Sequence, residues 1–223
     1  MKLIGDGISK RYFRKTKKAN YFYAVQKTDI EIKEGNITVI TGRSGSGKST
    51  LLNMLAGLLE PTEGKVYFDD RDIYSMSDKE LSILRNENVG VIPQGQTGLS
   101  SLTVMENVVL PYYMYKKGEN IEKRAEELLE TVGMAELSNA YPTELSGGEN
   151  RRAAIARALI QDPGIILADE PTGDLDDENT RIVLELLRKT ADSGKAVLLV
   201  THENEAVNYA DIVYKMDGGV LTV

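Results

Sequence analysis

Short apolar runs alternate with amphipathic stretches along most of this chain, and the alternation predicts its architecture. Runs of four or five residues that are typical of buried strands occur at 37–40, 89–92, 165–168 and 196–200. Helical periodicity marks residues 51–56 and 178–190, and the stretch from 103 to about 159 is predominantly helical. Because strands alternate with helices at both ends of the chain, the pattern predicts an α/β fold with a parallel sheet and a helical insertion.

The N-terminal part reads differently, because strand patterns at residues 3–8 and 21–32 flank a basic segment. Lys10–Lys18 carries six basic side chains and two aromatic ones. Such a segment could contact a nucleotide or the anionic lipid headgroups beside a membrane. It could equally be a solvated hairpin tip, since charge runs usually lie at the surface. The sequence leaves these alternatives open.

Composition narrows the function classes for these 223 residues. The chain has no cysteine, which excludes disulfides, thiolate zinc sites and cysteine nucleophiles, and its one histidine excludes a His-rich metal site. A net charge of −7 disfavours a general nucleic-acid binder, so no nucleic-acid partner is expected. No apolar run approaches the ~20 residues of a membrane span and no signal peptide is evident, so a soluble, cytosolic protein is expected.

A phosphate-binding loop follows the strand at 37–40. The motif G-x-x-x-x-G-K-S spans Gly42, Arg43, Ser44, Gly45, Ser46, Gly47, Lys48 and Ser49, with Thr50 next, and a helical pattern follows. Glycines let the backbone fold around a phosphate, and the amides at the helix start face the anion. The Lys48 ammonium is expected to contact the β- and γ-phosphates, and the Ser49 hydroxyl can ligate Mg²⁺.

A pair of acids follows the buried strand at 165–168. Asp169 is expected to hold Mg²⁺, because a phosphate-loop enzyme needs a carboxylate at the end of a neighbouring strand. Glu170 lies one residue further on, where it could serve as the general base that polarises an attacking water. Acids in turns are common, so this pair indicates catalysis only together with the phosphate loop.

A second anion-binding geometry occurs about a hundred residues after the first. Leu145-Ser146-Gly147-Gly148-Glu149 opens a helical stretch, so exposed amides and the positive helix end could again face a phosphate. One nucleotide in a monomer needs only one such site. A head-to-tail dimer would place each nucleotide between loops of different subunits and give two equivalent sites.

These motifs, in this order and spacing, resemble those of an ABC-transporter ATP-binding subunit over nearly the whole chain. The Leu-Ser-Gly-Gly-Glu stretch is highly specific to that family. The run from Asp169 to Asp176 looks like the branch that serves macrolide efflux, lipoprotein release, antimicrobial-peptide resistance and cell division. Glu149 stands where many relatives have glutamine, and Asn150-Arg151 replaces the more usual pair of glutamines.

The resemblance implies a fold and partners. The fold would be a P-loop NTPase core with a parallel sheet, an N-terminal antiparallel β subdomain and an inserted helical subdomain at about 97–160, all in one ABC ATPase domain, 1–223. Two copies would close around two MgATP. A transmembrane permease subunit would bind a groove on the helical subdomain and hold the protein at the inner face of the cell membrane.

It also implies roles for single residues. Tyr12 would stack on adenine, with Tyr21 or Tyr23 as substitutes. Gln94 would contact Mg²⁺. Ser146, Gly147 and Gly148, with Glu149 of the same motif, would hold the γ-phosphate of the ATP bound to the other subunit. His202 would touch the γ-phosphate and help to orient the water, and Asp176 would lie in a loop that crosses the dimer.

Three other readings compete with an ABC transporter ATPase. A non-transport ABC ATPase, such as one in iron–sulfur assembly, is the hardest to exclude. A GTPase or kinase-like P-loop protein is disfavoured, because no Asn-Lys-x-Asp guanine motif occurs. A regulatory module that binds ATP without turnover is disfavoured by the presence of Glu170 and His202.

Overall fold

In the computed structural model, which describes residues 1–13, 21–95, 98–115, 121–173 and 175–223, ten strands form two sheets. The strands are β1 Lys2–Phe13, β2 Tyr21–Lys33, β3 Ile37–Thr41, β4 Glu63–Phe68, β5 Arg71–Asp72, β6 Val89–Ile92, β7 Ile165–Asp169, β8 Ala196–Thr201, β9 Ile212–Asp217 and β10 Val220–Thr222. The helices are α1 Lys48–Leu55, α2 Asp78–Asn88, α3 Val104–Tyr113, α4 Glu122–Thr131, α5 Gly147–Leu159 and α6 Asp177–Asp192.

The larger sheet has six strands in the order β10-β9-β3-β8-β7-β6 and is parallel except for β10. Its central strands are buried on both faces. In β7, for example, Ile166 and Ala168 pack in one apolar cluster with α3–α6, whereas Ile165 and Leu167 pack in another with α1 and the second sheet. This double burial explains why β3, β7 and β8 are continuous apolar runs rather than alternating ones.

The smaller sheet has four antiparallel strands in the order β2-β1-β4-β5. It confirms the expected N-terminal antiparallel unit, but β1 is longer than the predicted strand at 3–8 and runs on to Phe13. Lys10–Phe13 therefore belong to a strand, and the remainder of the basic segment, residues 14–18, lies outside the described residues.

Three helices of the described chain, α3, α4 and α5, fall inside the range expected for a helical insertion. Helices α3 and α5 each begin with a capping box that can be read from the sequence. Thr103 and Ser146 accept hydrogen bonds from the amides of Glu106 and Glu149, and those glutamates reach back to the cap. The boundaries of a helical subdomain at 97–160, and the assignment of 1–223 to one domain, stay predictions.

Candidate active site

The residues with candidate chemistry lie at one edge of the larger sheet. The phosphate loop follows β3, His202 follows β8, Glu170 follows β7 and Gln94 comes shortly after β6. These four strands are neighbours in the order β3-β8-β7-β6 and run parallel, so their carboxyl ends meet at the same edge. Ligands of open α/β sheets bind at this edge.

The phosphate loop needs its last glycine for two reasons. Gly47 has a φ of 111°, a conformation that L side chains rarely adopt, and a Cβ there would lie 2.1 Å from the carbonyl oxygen of Ala24. Helix α1 then begins at Lys48, three residues earlier than the apolar pattern predicts. The amides of its first turn have no carbonyl partner within the helix, so they are available to an anion held by the loop.

The Lys48 side chain is buried and held by three oxygen atoms. Its Nζ donates to the carbonyl oxygens of Gly42 at 2.7 Å and Arg43 at 3.2 Å, and it lies 3.4 Å from Oε1 of Glu170. A flexible ammonium with this environment can exchange carbonyl partners for phosphate oxygens without leaving the loop.

Asp169 and Ser49 meet across the sheet edge, as the sequence predicts. The Ser49 hydroxyl donates to Oδ1 of Asp169 at 3.0 Å. Burial raises the pKa of the Asp169 carboxyl, the hydrogen bond from Ser49 opposes that shift, and the negative charge of Glu170 adds to it. This buried carboxylate therefore gains from a cation placed beside it.

Glu170 has an unusual backbone for a residue with a side chain. Its φ is 47°, in the left-handed region, while its amide still bonds to the carbonyl of Val200 on β8 at 2.8 Å. This turn aims the carboxylate back over the sheet edge. There Oε2 accepts bonds from the Thr201 hydroxyl and the His202 amide, both at 3.2 Å, and lies 2.8 Å from Nδ1 of His202.

A cavity of about 500 Å³ opens above the phosphate loop. Gly45, Gly47, Lys48, Ser49 and Thr50 form its floor, and aromatic residues of β1 and β2 form one wall. Tyr12 and Phe22 are cross-strand partners in that wall, with ring centroids 5.9 Å apart, and Tyr23 also lines it. Tyr21, which sequence reasoning kept as a substitute for Tyr12, does not line this cavity.

A second cavity, of about 640 Å³, adjoins the first, and Ser44, Gln94 and Glu170 line both. Gly42, Arg43 and His202 also line it. Among the predicted phosphate-loop contacts Ser46 is the exception, because its side chain is buried and lines neither cavity. The Arg151 guanidinium holds the loop that carries Gln94 by donating to the carbonyls of Pro93 at 2.9 Å and Gly95 at 3.1 Å.

The Leu-Ser-Gly-Gly-Glu stretch lies elsewhere, since Ser146, Gly147, Gly148 and Glu149 line neither of the two cavities. The Glu149 carboxylate accepts a bond from the Ser146 amide at 2.7 Å, which lowers the pKa of Glu149. Gly148 packs against Asn179 of α6 so closely that a Cβ there would lie 2.3 Å from Oδ1 of Asn179.

Asn179 ties this helix start to the residues before α6. Its Oδ1 accepts a bond from Arg152 of α5 at 2.8 Å, and its amide donates to the side chain of Asp176 at 2.8 Å. The bond from the Asn179 amide lowers the pKa of Asp176. The Ser146–Gly148 turn and Asp176 are therefore fixed relative to one another.

Comparison with known proteins identifies the fold that builds this site. The family model described as ABC transporter matches residues 25–173. The chain belongs to the ABC transporter family. A solved ABC cassette described as the dimeric structure of MJ0796 has a TM-score of 0.89 and 36% identity, with 97% of this chain and 95% of that one covered.

Curated relatives agree with this membership in the ABC family. An uncharacterised ABC transporter ATP-binding protein of Methanocaldococcus jannaschii is 43% identical, with 90% of each chain covered. The lipoprotein-releasing system ATP-binding protein LolD of Buchnera aphidicola is 38% identical, with 96% of this chain and 93% of that one covered. The latter belongs to the branch that the run from Asp169 to Asp176 resembles.

The ABC family and its solved cassettes confirm three expectations from the sequence. The fold is that of a P-loop NTPase, the protein is an ATP-binding subunit of the transporter kind, and its enzymatic class is ATPase. The GTPase-like reading is wrong, and the transporter ATPase is favoured over the non-transport alternative.

Sequence reasoning missed three residues of this ABC site. Phe22 could have been found, because cross-strand pairing with β1 places it beside Tyr12. Arg151 stands out in the sequence only as a departure from relatives. Nothing near it in the sequence predicts that it binds the loop that carries Gln94. Asn179 is an unremarkable helix residue in sequence, and only the tertiary structure brings it to Gly148 and Arg152.

Proposed function

We propose that two copies of this chain close head to tail around two MgATP, hydrolyse them, and so drive a transmembrane permease subunit. One observation supports the dimer: the Ser146–Gly148 turn, a helix start of the kind that can bind an anion, lines neither cavity beside the phosphate loop. A second copy would bring its own turn to the open side of the cavity. The solved dimer of the MJ0796 cassette supports this arrangement.

In the proposed reaction, water attacks the γ-phosphorus and the bond to the bridging oxygen breaks, giving ADP and phosphate. Lys48 and the loop amides hold the phosphate oxygens and offset their charge. Glu170 accepts a hydrogen bond from the attacking water and takes its proton. His202 keeps Oε2 of Glu170 in place through Nδ1 and its amide, and its side chain stays more than half exposed.

The residues around Asp169 fit a magnesium ion. Mg²⁺ prefers oxygen ligands and is commonly held by one or two carboxylates together with substrate phosphates and water. Asp169 and the Ser49 hydroxyl are in contact, and the Gln94 side chain lines the cavity that Ser49 lines. Asp169, Ser49 and Gln94 would hold the ion, and its positive charge would offset the negative charge of the phosphate oxygens.

The proposal of a membrane partner is supported by membership in the transporter family. No helix in the described parts of the chain is long and apolar enough to cross a bilayer. We propose that the protein lies in the cytoplasm, peripheral on the inner face of the cell membrane, bound to a permease through the helical part at about 97–160. The named relative LolD supports an exporter or mechanotransmission role.

Mixing two inactive variants tests the shared site. Lys48→Ala damages the phosphate loop and Ser146→Arg damages the turn that would face the partner's nucleotide. In a mixed dimer, both defects fall in one site and the other site is intact. Random mixing should restore about a quarter of the wild-type ATPase rate, because half of the dimers are mixed and each keeps one of two sites.

Two controls sharpen the mixing experiment. Ser146→Arg alone should still bind ADP, because its phosphate loop is unchanged. A variant that carries both substitutions in one chain should be inactive on its own, because both sites of its dimer are then damaged. If the mixture of single variants is no more active than the sum of its parts, each chain acts alone and the shared site is refuted.

A pull-down tests the permease. Glu170→Gln chain, incubated with ATP and detergent-extracted membranes of its own cells, should retain an integral membrane protein in stoichiometric amount, and Lys48→Ala should retain less. Soluble partners alone would favour the non-transport ABC class and leave the ATPase chemistry intact.

A further inference from the structure

The hairpin of β1 and β2 has two different faces near its described end. Strand pairing joins Tyr12 to Phe22 and Phe13 to Tyr21. Since side chains alternate along a strand, Tyr12 and Phe22 share one face, and Arg11, Phe13 and Tyr21 share the other. The first face lines the nucleotide cavity. We call the second, formed by Arg11, Phe13 and Tyr21, the outer face of the hairpin.

The outer face presents apolar rings to solvent beside a cation. Phe13 is 74% exposed and Tyr21 is 54% exposed, the two highest values among the aromatic residues of the described chain. The guanidinium of Arg11 lies 5.0 Å from the centroid of the Tyr21 ring. Arg11, Phe13 and Tyr21 line neither cavity of the candidate active site, so the outer face has no role in the proposed ATPase reaction. Tyr23, the cross-strand partner of Arg11, does line the nucleotide cavity and is not counted in the outer face.

Charge is strongly segregated along the sequence that contains Arg11, Phe13 and Tyr21. The sequence from Gly7 to Thr28 contains seven Lys and Arg and no Asp or Glu, whereas the rest of the chain holds 20 basic and 34 acidic residues. An anionic surface would therefore attract this stretch of the chain and repel the remainder. Such an asymmetry orients a protein as well as binding it.

We infer that the outer face of the hairpin rests on the surface of an anionic phospholipid bilayer. Aromatic rings are stabilised in the interfacial region of a bilayer, because their apolar surface leaves water there. Neighbouring Lys and Arg side chains can pair with headgroup phosphates. An acidic polypeptide would pair with the cations but would offer little to Phe13, which has no polar group. The contact needs neither the permease nor the ATP-dependent dimer.

Vesicle co-sedimentation with the full-length protein tests this contact. Wild-type protein should sediment with vesicles of phosphatidylcholine mixed with phosphatidylglycerol at low salt. It should not sediment with phosphatidylcholine alone, and raised salt should release it. Arg11→Glu should weaken binding roughly tenfold, because it reverses one charge at the bilayer surface. Phe13→Ser should weaken it roughly fivefold, because it removes the exposed ring.

A matched variant distinguishes binding by the outer face of the hairpin from an effect of the protein's net charge. Lys79→Glu makes the same reversal at an exposed position of α2 and should leave vesicle binding unchanged. ATP affinity and melting temperature, measured on every variant, show that each is folded and keeps its nucleotide site.

Several outcomes would overturn the lipid contact. Wild-type protein that fails to sediment with anionic vesicles refutes it, as does equal binding to neutral ones. Equal losses in Arg11→Glu and Lys79→Glu would assign any binding to net charge. Binding to a labelled poly-glutamate peptide, with none to vesicles, would assign the outer face to an acidic polypeptide instead. None of these results bears on the mixing experiment, so the lipid contact and the shared ATPase site can fail independently.

Discussion

Lys48 and Glu170 form a buried ion pair, with Nζ of the lysine 3.4 Å from Oε1 of the glutamate. The same glutamate accepts bonds from His202 through its other oxygen. The Glu170 carboxylate, which would activate water, is thus held between Lys48, which would bind phosphate, and His202, which follows β8. Loss of its charge should change the chemistry more than the binding.

Glu170→Gln should therefore retain ATP and lose hydrolysis. The amide keeps the shape of the side chain but cannot take a proton from water, so the rate of phosphate release should fall roughly 10²- to 10⁴-fold. An ATP-dependent dimer should accumulate, visible by size-exclusion chromatography. Glu205→Gln, at an exposed position three residues after His202, serves as the matched control. Hydrolysis at the wild-type rate in Glu170→Gln would remove Glu170 from its role.

Asp169 should make the free energy of unfolding of the metal-free protein depend on pH. Burial raises its pKa in the folded protein, so the charged form is disfavoured on folding at neutral pH. Asp169→Asn should raise the free energy of unfolding at pH values above that raised pKa. The gain should shrink as pH falls through it and vanish below the ordinary pKa of an unfolded aspartate, where both states are protonated. Urea unfolding at several pH values measures this.

Two comparisons make the Asp169 test specific. Asp70→Asn, at an exposed position, should show no such gain. Magnesium with ATP should stabilise wild-type protein more than Asp169→Asn, because only the carboxylate offers a charged ligand. A destabilised Asp169→Asn at neutral pH without metal would contradict the assigned effect of burial.

Gly148→Ala should disturb the turn that would face the partner's ATP. Its Cβ would meet Oδ1 of Asn179, so Asn179 must move and its bond to Arg152 weakens. The substitution should cost about 1–3 kcal/mol of stability and reduce turnover. Adding Asn179→Ala removes the clashing atom, so the double variant should lose less than the sum of the single losses. A strictly additive cycle of unfolding free energies would show that the two residues do not couple.

Tyr12→Ala should weaken ATP binding by removing a ring from the wall of the nucleotide cavity. Base–aromatic stacking contributes ~1–3 kcal/mol per base, so the dissociation constant should rise roughly tenfold or more. Tyr12→Phe should keep most of the affinity, because the ring rather than the hydroxyl is expected to stack. Phe13→Ala, one residue on and on the opposite face, is the matched control. Equal affinities of Tyr12→Ala and wild type would shift the stacking role to Phe22 or Tyr23.

The elements that carry chemistry were predictable from sequence because each leaves a local signal. Buried parallel strands are continuous apolar runs, and the phosphate loop and Asp169–Glu170 directly follow two of them. Strands β5 and β10 were not predicted, since two or three residues carry no periodicity. The bond from Arg151 to Pro93 joins residues 58 positions apart, and that from Arg152 to Asn179 joins residues 27 apart. Such contacts depend on packing angles that hydrophobic patterns do not encode.

The left-handed backbone of Glu170 has a consequence for directed evolution of this protein. A side-chain-bearing residue in that conformation costs roughly 1 kcal/mol or more, and glycine would remove the cost. Glycine would also remove the carboxylate that pairs with the buried ammonium of Lys48, and losing one partner of a buried ion pair costs about 3–5 kcal/mol. Selection for heat resistance should therefore keep Glu170 despite its backbone strain. The residue that the chemistry needs is thus also protected by the stability of the folded protein.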